Sequence, residues 1–291
     1  MTQVIARPQK STIVRFFSIP APVRASFWLL DRTLPRLSAR WAEQMWFTLP
    51  PRRARPRTAD AAGTPFTVSA NGAQIVGETW GEGPAVYLLH GWAGYRGQLT
   101  ALVEPLVRRG YRVVAFDAPS HGDSGPGAYG PRSSSIPEFA TALTAVIAAH
   151  GPAHAIVAHS MGSAAAAIAL CDGLSAGRLV MVAPMATPMT YAHQFADMLN
   201  FGDRTMARLV ARVERRIGAP MRHFDIPELG RAIAMPPTLV IHDRDDASTP
   251  VADGQAIATA WPTATLHLTS GLGHRRLLRD PDTVRTIVDF I

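Results

Sequence analysis

Residues 156–162 read Ile-Val-Ala-His-Ser-Met-Gly, and residues 163–170 continue Ser-Ala-Ala-Ala-Ala-Ile-Ala-Leu. A short apolar run with a β-branched pair stops at His-Ser, and a run of the best helix former takes over at once. That order predicts a strand, a sharp turn and a helix, with Ser160 at the apex. A serine so placed sits in a strained backbone conformation with its hydroxyl projecting outward, so the positions two before and two after must be small. They are Ala158 and Gly162. The spacing matches the nucleophile-elbow pattern G-x-S-x-G, with alanine for the first glycine. The simpler alternative is a serine that only caps a helix.

The elements around this turn alternate. Strands over 66–68 and 74–80 flank Asn71-Gly72, a strong hairpin signal. Strands over 85–89, 112–116, 178–183, 238–242 and 264–269 are separated by helical patterns that include 136–150, 254–260 and 281–291. Such alternation predicts an α/β fold on a mostly parallel, doubly wound sheet. Residues 185–237 break the rhythm with Met189, Tyr191, Phe195, Met198 and Phe201, then a basic helix over 204–216. That connection is too long for one crossover helix, so a small helical lid is expected there. The basic helix reads as a solvated lid face, the alternative being a seat for an anionic substrate such as an acyl-CoA.

The later strands open into acidic and histidine-bearing turns. Residues 242–250 read His-Asp-Arg-Asp-Asp-Ala-Ser-Thr-Pro, and residues 271–274 read Gly-Leu-Gly-His. A serine hydroxyl becomes an effective nucleophile when an imidazole takes its proton, and that imidazole needs a carboxylate on its other nitrogen. Serine, aspartate and histidine follow in that chain order, each just past a strand's C-terminal end, the edge where open α/β sheets build sites.

Over residues 66–291 the chain resembles the α/β-hydrolase superfamily, and its serine esterases and lipases in particular. The matching pieces are His90-Gly91-Trp92, Asp117 with Ser120 to Ser124, Ala158 to Gly162, Asp246 with Pro250, and Gly273-His274. The resemblance implies Ser160 as nucleophile, His274 as general base, Asp246 as the acid, and the Trp92 and Met161 N–H groups as oxyanion hole. Asp243 and Asp245 stay alternatives for the acid, and Asp243 stands where the family usually has glycine. The implied reaction is cleavage of a small-molecule carboxylic ester through an acyl-enzyme. Thioesterase, amidase, carbon–carbon hydrolase and acyltransferase reactions share the same triad, and a non-catalytic binding protein is the rival of a different class.

The remaining histidines have plainer readings. His90 and His121 are expected to hold loops, His159 fills the variable elbow position, and His242 ends a strand. Beyond the acidic turn itself, no cluster of histidine, cysteine or carboxylate at ligand spacing suggests a metal. Gly91, Gly94 and Gly97 do not match G-x-G-x-x-G, so no dinucleotide cofactor is expected.

Residues 1–60 carry eleven arginines and lysines against three carboxylates, in a chain of formal net charge +7. The basicity belongs to an N-terminal arm and gives no reason to expect nucleic-acid binding. Within it Phe27, Leu30, Leu34, Leu37, Trp41 and Met45 recur every three or four residues, opposite Arg32, Arg36 and Arg40. Pro35 predicts two helices there, the second starting near Thr33. Such an arm fits an anionic membrane surface, a second subunit, or the protein's own body. Residues 50–57 read as an extended linker, which divides the chain into an arm over 1–60 and a hydrolase domain over 61–291. No run approaches the roughly 18 apolar residues of a membrane span. The absence of a signal-peptide pattern and the single cysteine, Cys171, point to a cytoplasmic protein, with peripheral membrane contact as the variant.

Overall fold

The computed structural model describes residues 19–51 and 62–291. The linker expected over 50–57 lies outside the described residues from Arg52 onward. Asn71 and Gly72 take φ of 46° and 83°, the pair of positive values that a tight hairpin turn needs. They join β1 (Thr64–Ala70) to β2 (Ala73–Trp80). There follow β3 (Ala85–Leu89), β4 (Arg112–Phe116), β5 (Ala153–His159), β6 (Ala176–Val182), β7 (Thr238–Asp243) and β8 (Ala264–Thr269). These strands form one sheet in the order β1-β2-β4-β3-β5-β6-β7-β8. β2 is antiparallel to both its neighbours, and every pair from β4 to β8 is parallel.

The helices are α1 (Ala21–Thr33), α2 (Pro35–Phe47), α3 (Val103–Arg108), α4 (Ile136–His150), α5 (Met161–Cys171) and α6 (Pro188–Leu199). They continue with α7 (Asp203–Ile217), α8 (Ile226–Ala232), α9 (Val251–Ala260), α10 (Gly273–Arg276) and α11 (Pro281–Phe290). All five residues of β3 are buried, as a strand covered on both faces must be. The period of two sorts its side chains. Tyr87 and Leu89 join the core under α4 and α5, and Val86 and Leu88 join the core under α3 and α11. α5 is buried on every side from Met161 to Leu170, and its run of alanines lets it lie close to both β5 and α4.

Residues between β6 and β7 hold α6, α7 and α8. The described part of the arm packs on the first two of these: Phe27, Ala42 and Phe47 share a core with Ala196, Leu199, Leu209 and Val213. Polar contacts fix the docking. Asp31 accepts from the N–H of Thr205 at 3.0 Å, capping the first turn of α7 from another helix. Glu43, itself buried, pairs with Arg212 and Arg216, so two arginines of the basic helix serve the arm while Arg204, Arg208 and Arg215 remain exposed. After α2, Leu49 donates to the carbonyl of Arg132 at 2.8 Å.

The arm departs from its sequence pattern in one respect. The break falls at Leu34, with α2 starting on Pro35, and it resets the helical phase. α2 therefore turns Ser38, Ala39, Ala42 and Glu43 inward, small or paired residues that allow a close approach to α7. Leu34 and Leu37, expected on the same face as Phe27, stand exposed instead. Among the described residues no helix is long and apolar enough to cross a membrane.

Candidate active site

β5 ends at His159, α5 begins at Met161, and Ser160 between them has φ 55° and ψ −123°. A non-glycine residue held there costs on the order of 1–3 kcal/mol, so the surroundings must enforce it. Ser160 N–H donates to Val182 O of the neighbouring strand at 2.9 Å, and Ser163 N–H donates back to Ser160 O at 3.0 Å. The loop after β3 closes from the other side. A Cβ on Gly162 would lie 2.5 Å from the carbonyl oxygen of His90, and one on Gly91 would lie 2.7 Å from Ser160 Cβ. Both glycines are thus required by close approach. Met161 opens a helix whose first N–H groups have no partner within it, and Trp92 lies one residue past Gly91.

Two buried imidazoles shape the Trp92 loop. His90 Nε2 accepts from Ala118 N–H at 3.0 Å, so its proton sits on Nδ1, 2.8 Å from Gly91 O. His121 repeats the arrangement, accepting from Ala93 N–H at 3.1 Å and donating to Pro119 O at 2.8 Å. Both rings are held neutral in one tautomer. Behind them Arg96 joins Glu78, Asp117 and Asp123, which anchors the loop end.

The three aspartates after β7 are sorted by their partners. Asp243 accepts from Thr269 Oγ1 at 2.7 Å and from Leu272 N–H at 3.0 Å. Asp245 accepts from Gly271 N–H at 2.8 Å. These two tie the acidic turn to the loop that carries His274, which explains an aspartate at position 243. Asp246 alone meets the imidazole: His274 Nδ1–H donates to its Oδ2 at 2.8 Å. Ser248 and Thr249 N–H groups donate to Oδ1 at 2.7 and 3.0 Å. Burial by itself would raise this carboxyl, but the His274 hydrogen bond and charge, with those two N–H groups, outweigh it and hold it below the usual carboxylate range.

Three more side chains belong to the constellation, and none stood out in the sequence. Thr249 Oγ1 is 2.9 Å from Asp246 Oδ2, 3.2 Å from His274 Nδ1 and 3.3 Å from Ala183 O. His159, next to the serine, donates from Nε2 to the backbone oxygen of His274 at 2.9 Å. Its ring centroid is 4.6 Å from that of His274. Burial first, and then the neighbouring His274, push the His159 imidazole well below its ordinary range, so it is neutral. His242 is fully buried, 3.7 Å behind Asp246, donates to Thr249 O at 3.0 Å, and is also depressed by burial. Each is a single histidine or threonine inside a generic stretch, and only the fold reveals its neighbours.

Asp253, in the first turn of α9, reaches the insertion after β6. Its Oδ2 accepts from Tyr191 Oη at 2.6 Å and from Ala186 N–H at 2.9 Å. Burial raises its carboxyl from 3.8 to about 6. The folded state therefore keeps a proton that the unfolded chain has released, so this group favours folding in acid and that contribution disappears as pH rises through about 6. Asp253→Asn keeps an acceptor for both donors and carries no charge. We expect it to match the parent near pH 4 and to exceed it by about 1–3 kcal/mol above pH 7 in denaturant unfolding. A gap that stays constant across that range contradicts the assignment.

Cys171 is half-buried, and burial followed by the Asp172 charge raises its thiol, which makes it a poor nucleophile. Among the described residues no group of histidine, cysteine and carboxylate side chains could hold a metal ion.

Residues 86–287 match the model of the alpha/beta hydrolase family. A non-heme haloperoxidase of Rhodococcus erythropolis is 26% identical over 274 residues, covering 78% of this chain and 99% of that protein. A 2-hydroxy-6-oxononadienedioate/2-hydroxy-6-oxononatrienedioate hydrolase of Pseudomonas putida is 28% identical over 262 residues, covering 76% and 88%. A pimeloyl-[acyl-carrier protein] methyl ester esterase of Chromobacterium violaceum is 26% identical over 257 residues, covering 74% and 96%. The names of these relatives denote three different activities, whereas the family model runs from β3 into α11 and takes in the turn at Ser160 and the loops that carry Asp246 and His274: the chain belongs to the alpha/beta hydrolase family.

Proposed function

We propose that the protein is a serine hydrolase that cleaves a carboxylic ester through an acyl-enzyme. The 2.8 Å contact between His274 Nδ1 and Asp246 Oδ2, at the sheet edge that carries a strained serine, supports this reading most directly. Ser160 Oγ attacks the ester carbonyl as its proton passes to His274 Nε2. Asp246 keeps the other ring nitrogen protonated and stabilises the imidazolium. The oxyanion is met by the N–H groups of Trp92 and Met161. Collapse expels the alcohol, which leaves with the proton from His274. Water then gives a proton to His274 and attacks the acyl-enzyme, and the second collapse returns that proton to Ser160 and frees the acid.

A fluorophosphonate probe tests the nucleophile. It is expected to label the protein at Ser160 and to leave Ser160→Ala unlabelled. Labelling that persists in the variant removes Ser160 from this role, and complete inertness of the parent favours a binding protein. Since the family spans several reactions, a panel of chromogenic esters, thioesters and amides decides among the acyl chemistries.

Thr249 is a positioning residue in this scheme, since its hydroxyl supports Asp246 and His274 without reaching the substrate. A hydrogen bond to a charged group contributes about 1.5–3 kcal/mol. Thr249→Val, which keeps the shape and removes the hydroxyl, is expected to lower kcat by about 10–100-fold with little change in KM. Thr249→Ser should recover most of the loss. Equal activity of the valine variant and the parent would show that the hydroxyl is spectator to the reaction.

A further inference from the structure

The exposed large apolar side chains among the described residues are Trp28, Leu29, Leu34, Leu37 and Ile233. Four of the five fall within ten residues around the junction of α1 and α2. They are 46%, 53%, 56% and 50% exposed, respectively, at a place where the chain had smaller residues available and buried those instead. The charges at the same corner are equally one-sided. Asp31 and Glu43, the acidic residues of the two helices, are turned inward and paired with α7. Arg32, Arg36 and Arg40 are exposed. Arg32 lies over the Trp28 ring at 4.0 Å, which sets a cation beside this half-exposed indole.

We propose that this corner is a docking surface for an anionic lipid bilayer. Trp28, Leu29, Leu34 and Leu37 enter the boundary between headgroups and acyl chains, and Arg32, Arg36 and Arg40 meet the lipid phosphates. Exposed apolar side chains interspersed with arginines, and no exposed carboxylate on the same two helices, are the composition that interfacial helices use. The charge argues against a second copy as the occupant. A two-fold contact sets the same patch against itself, which would bring three arginines against three arginines with no exposed carboxylate on either helix to offset them. A bilayer of negative phospholipids complements both halves of the surface. None of these seven residues belongs to the proposed hydrolytic site.

The test uses the full chain and vesicles of phosphatidylcholine alone or mixed with phosphatidylglycerol. The parent is expected to sediment with the mixed vesicles and not with the neutral ones. Two variants separate the corner from the other basic residues of the chain: Trp28→Ser/Leu34→Ser/Leu37→Ser, and Arg32→Gln/Arg36→Gln/Arg40→Gln. A basic residue near a negative bilayer surface contributes about fivefold in partitioning, so the arginine variant should bind at least tenfold more weakly, and the apolar variant should do the same. Both alter exposed side chains, and unchanged circular dichroism and unfolding midpoints verify that the fold survives. Brominated phospholipid should quench parent fluorescence, and Trp28→Phe should remove most of that quenching. Absence of parental binding overturns the proposal, and so does equal binding by all variants, which would assign it to the basic residues of 1–18 and 52–61. A parent that dimerises, ignores vesicles and becomes monomeric in the apolar variant assigns the corner to a second copy and overturns it as well.

Discussion

Asp246→Asn is expected to lower kcat by about 10⁴-fold, the cost of presenting the imidazole in the wrong tautomer. Every group around this carboxylate is a donor: Ser248 and Thr249 N–H at one oxygen, Thr249 Oγ1 and His274 Nδ1 at the other. An amide must turn its NH₂ toward one of these pairs. The two backbone N–H groups cannot become acceptors, whereas the imidazole can shift its proton. The NH₂ therefore faces His274, Nδ1 becomes the acceptor, and Nε2 carries the proton that should come from the serine. Asp243→Asn is the control, because Asp243 bonds Thr269 and Leu272 and not the imidazole. Steady-state rates on a chromogenic ester would separate them. If Asp246→Asn keeps activity within tenfold of the parent, the acid lies elsewhere.

Phe27→Ala should destabilise the fold by about 3–5 kcal/mol, the usual loss for emptying a buried aromatic site. Phe27 is completely buried, stacked on Trp41 with ring centroids 4.4 Å apart and 5.8 Å from Phe201. It is the point at which α1, α2 and the insertion after β6 converge, so little nearby can collapse into the space. The loss should show as a lower denaturant midpoint together with faster proteolysis between α1 and α2. A variant as resistant as the parent on both measures would mean that the arm contributes nothing to the folded state. Because Asp31 and Glu43 cap and pair with α7 from the same arm, this substitution should also loosen α7.

Much of the fold was legible because its signals are local. Asn71-Gly72 specifies a tight turn, the apolar runs of β3 and β5 specify strands covered on both faces, and the alanines after Ser160 specify a helix able to lie against them. Pro35 marked the break between α1 and α2 for the same reason: its ring restricts the backbone wherever it stands. The order of Ser160, Asp246 and His274 at strand ends was readable too, since a parallel sheet brings all its C-terminal ends to one edge.

Partnership across the sheet was not readable. Three aspartates within four residues are chemically identical in a string of letters. The spacing between the β7 and β8 loops decides that Asp243 and Asp245 fasten those loops and that Asp246 faces the imidazole. His159 meets His274, 115 residues further along the chain, and Thr249 meets Ala183 and His274, while His242 gains its place from the way the turn after β7 folds Asp246 and Thr249 back over it. The phase of α2 was misjudged because apolar periodicity records which residues could be buried, while burial itself is awarded by the fit to α7. Small residues and a paired Glu43 fitted better than Leu34 and Leu37. Local propensity and order along the chain thus determined the elements and the edge where they converge. Tertiary structure alone decided which polar atoms meet there and which apolar ones were left facing outward, because both depend on distances that no separation in sequence encodes.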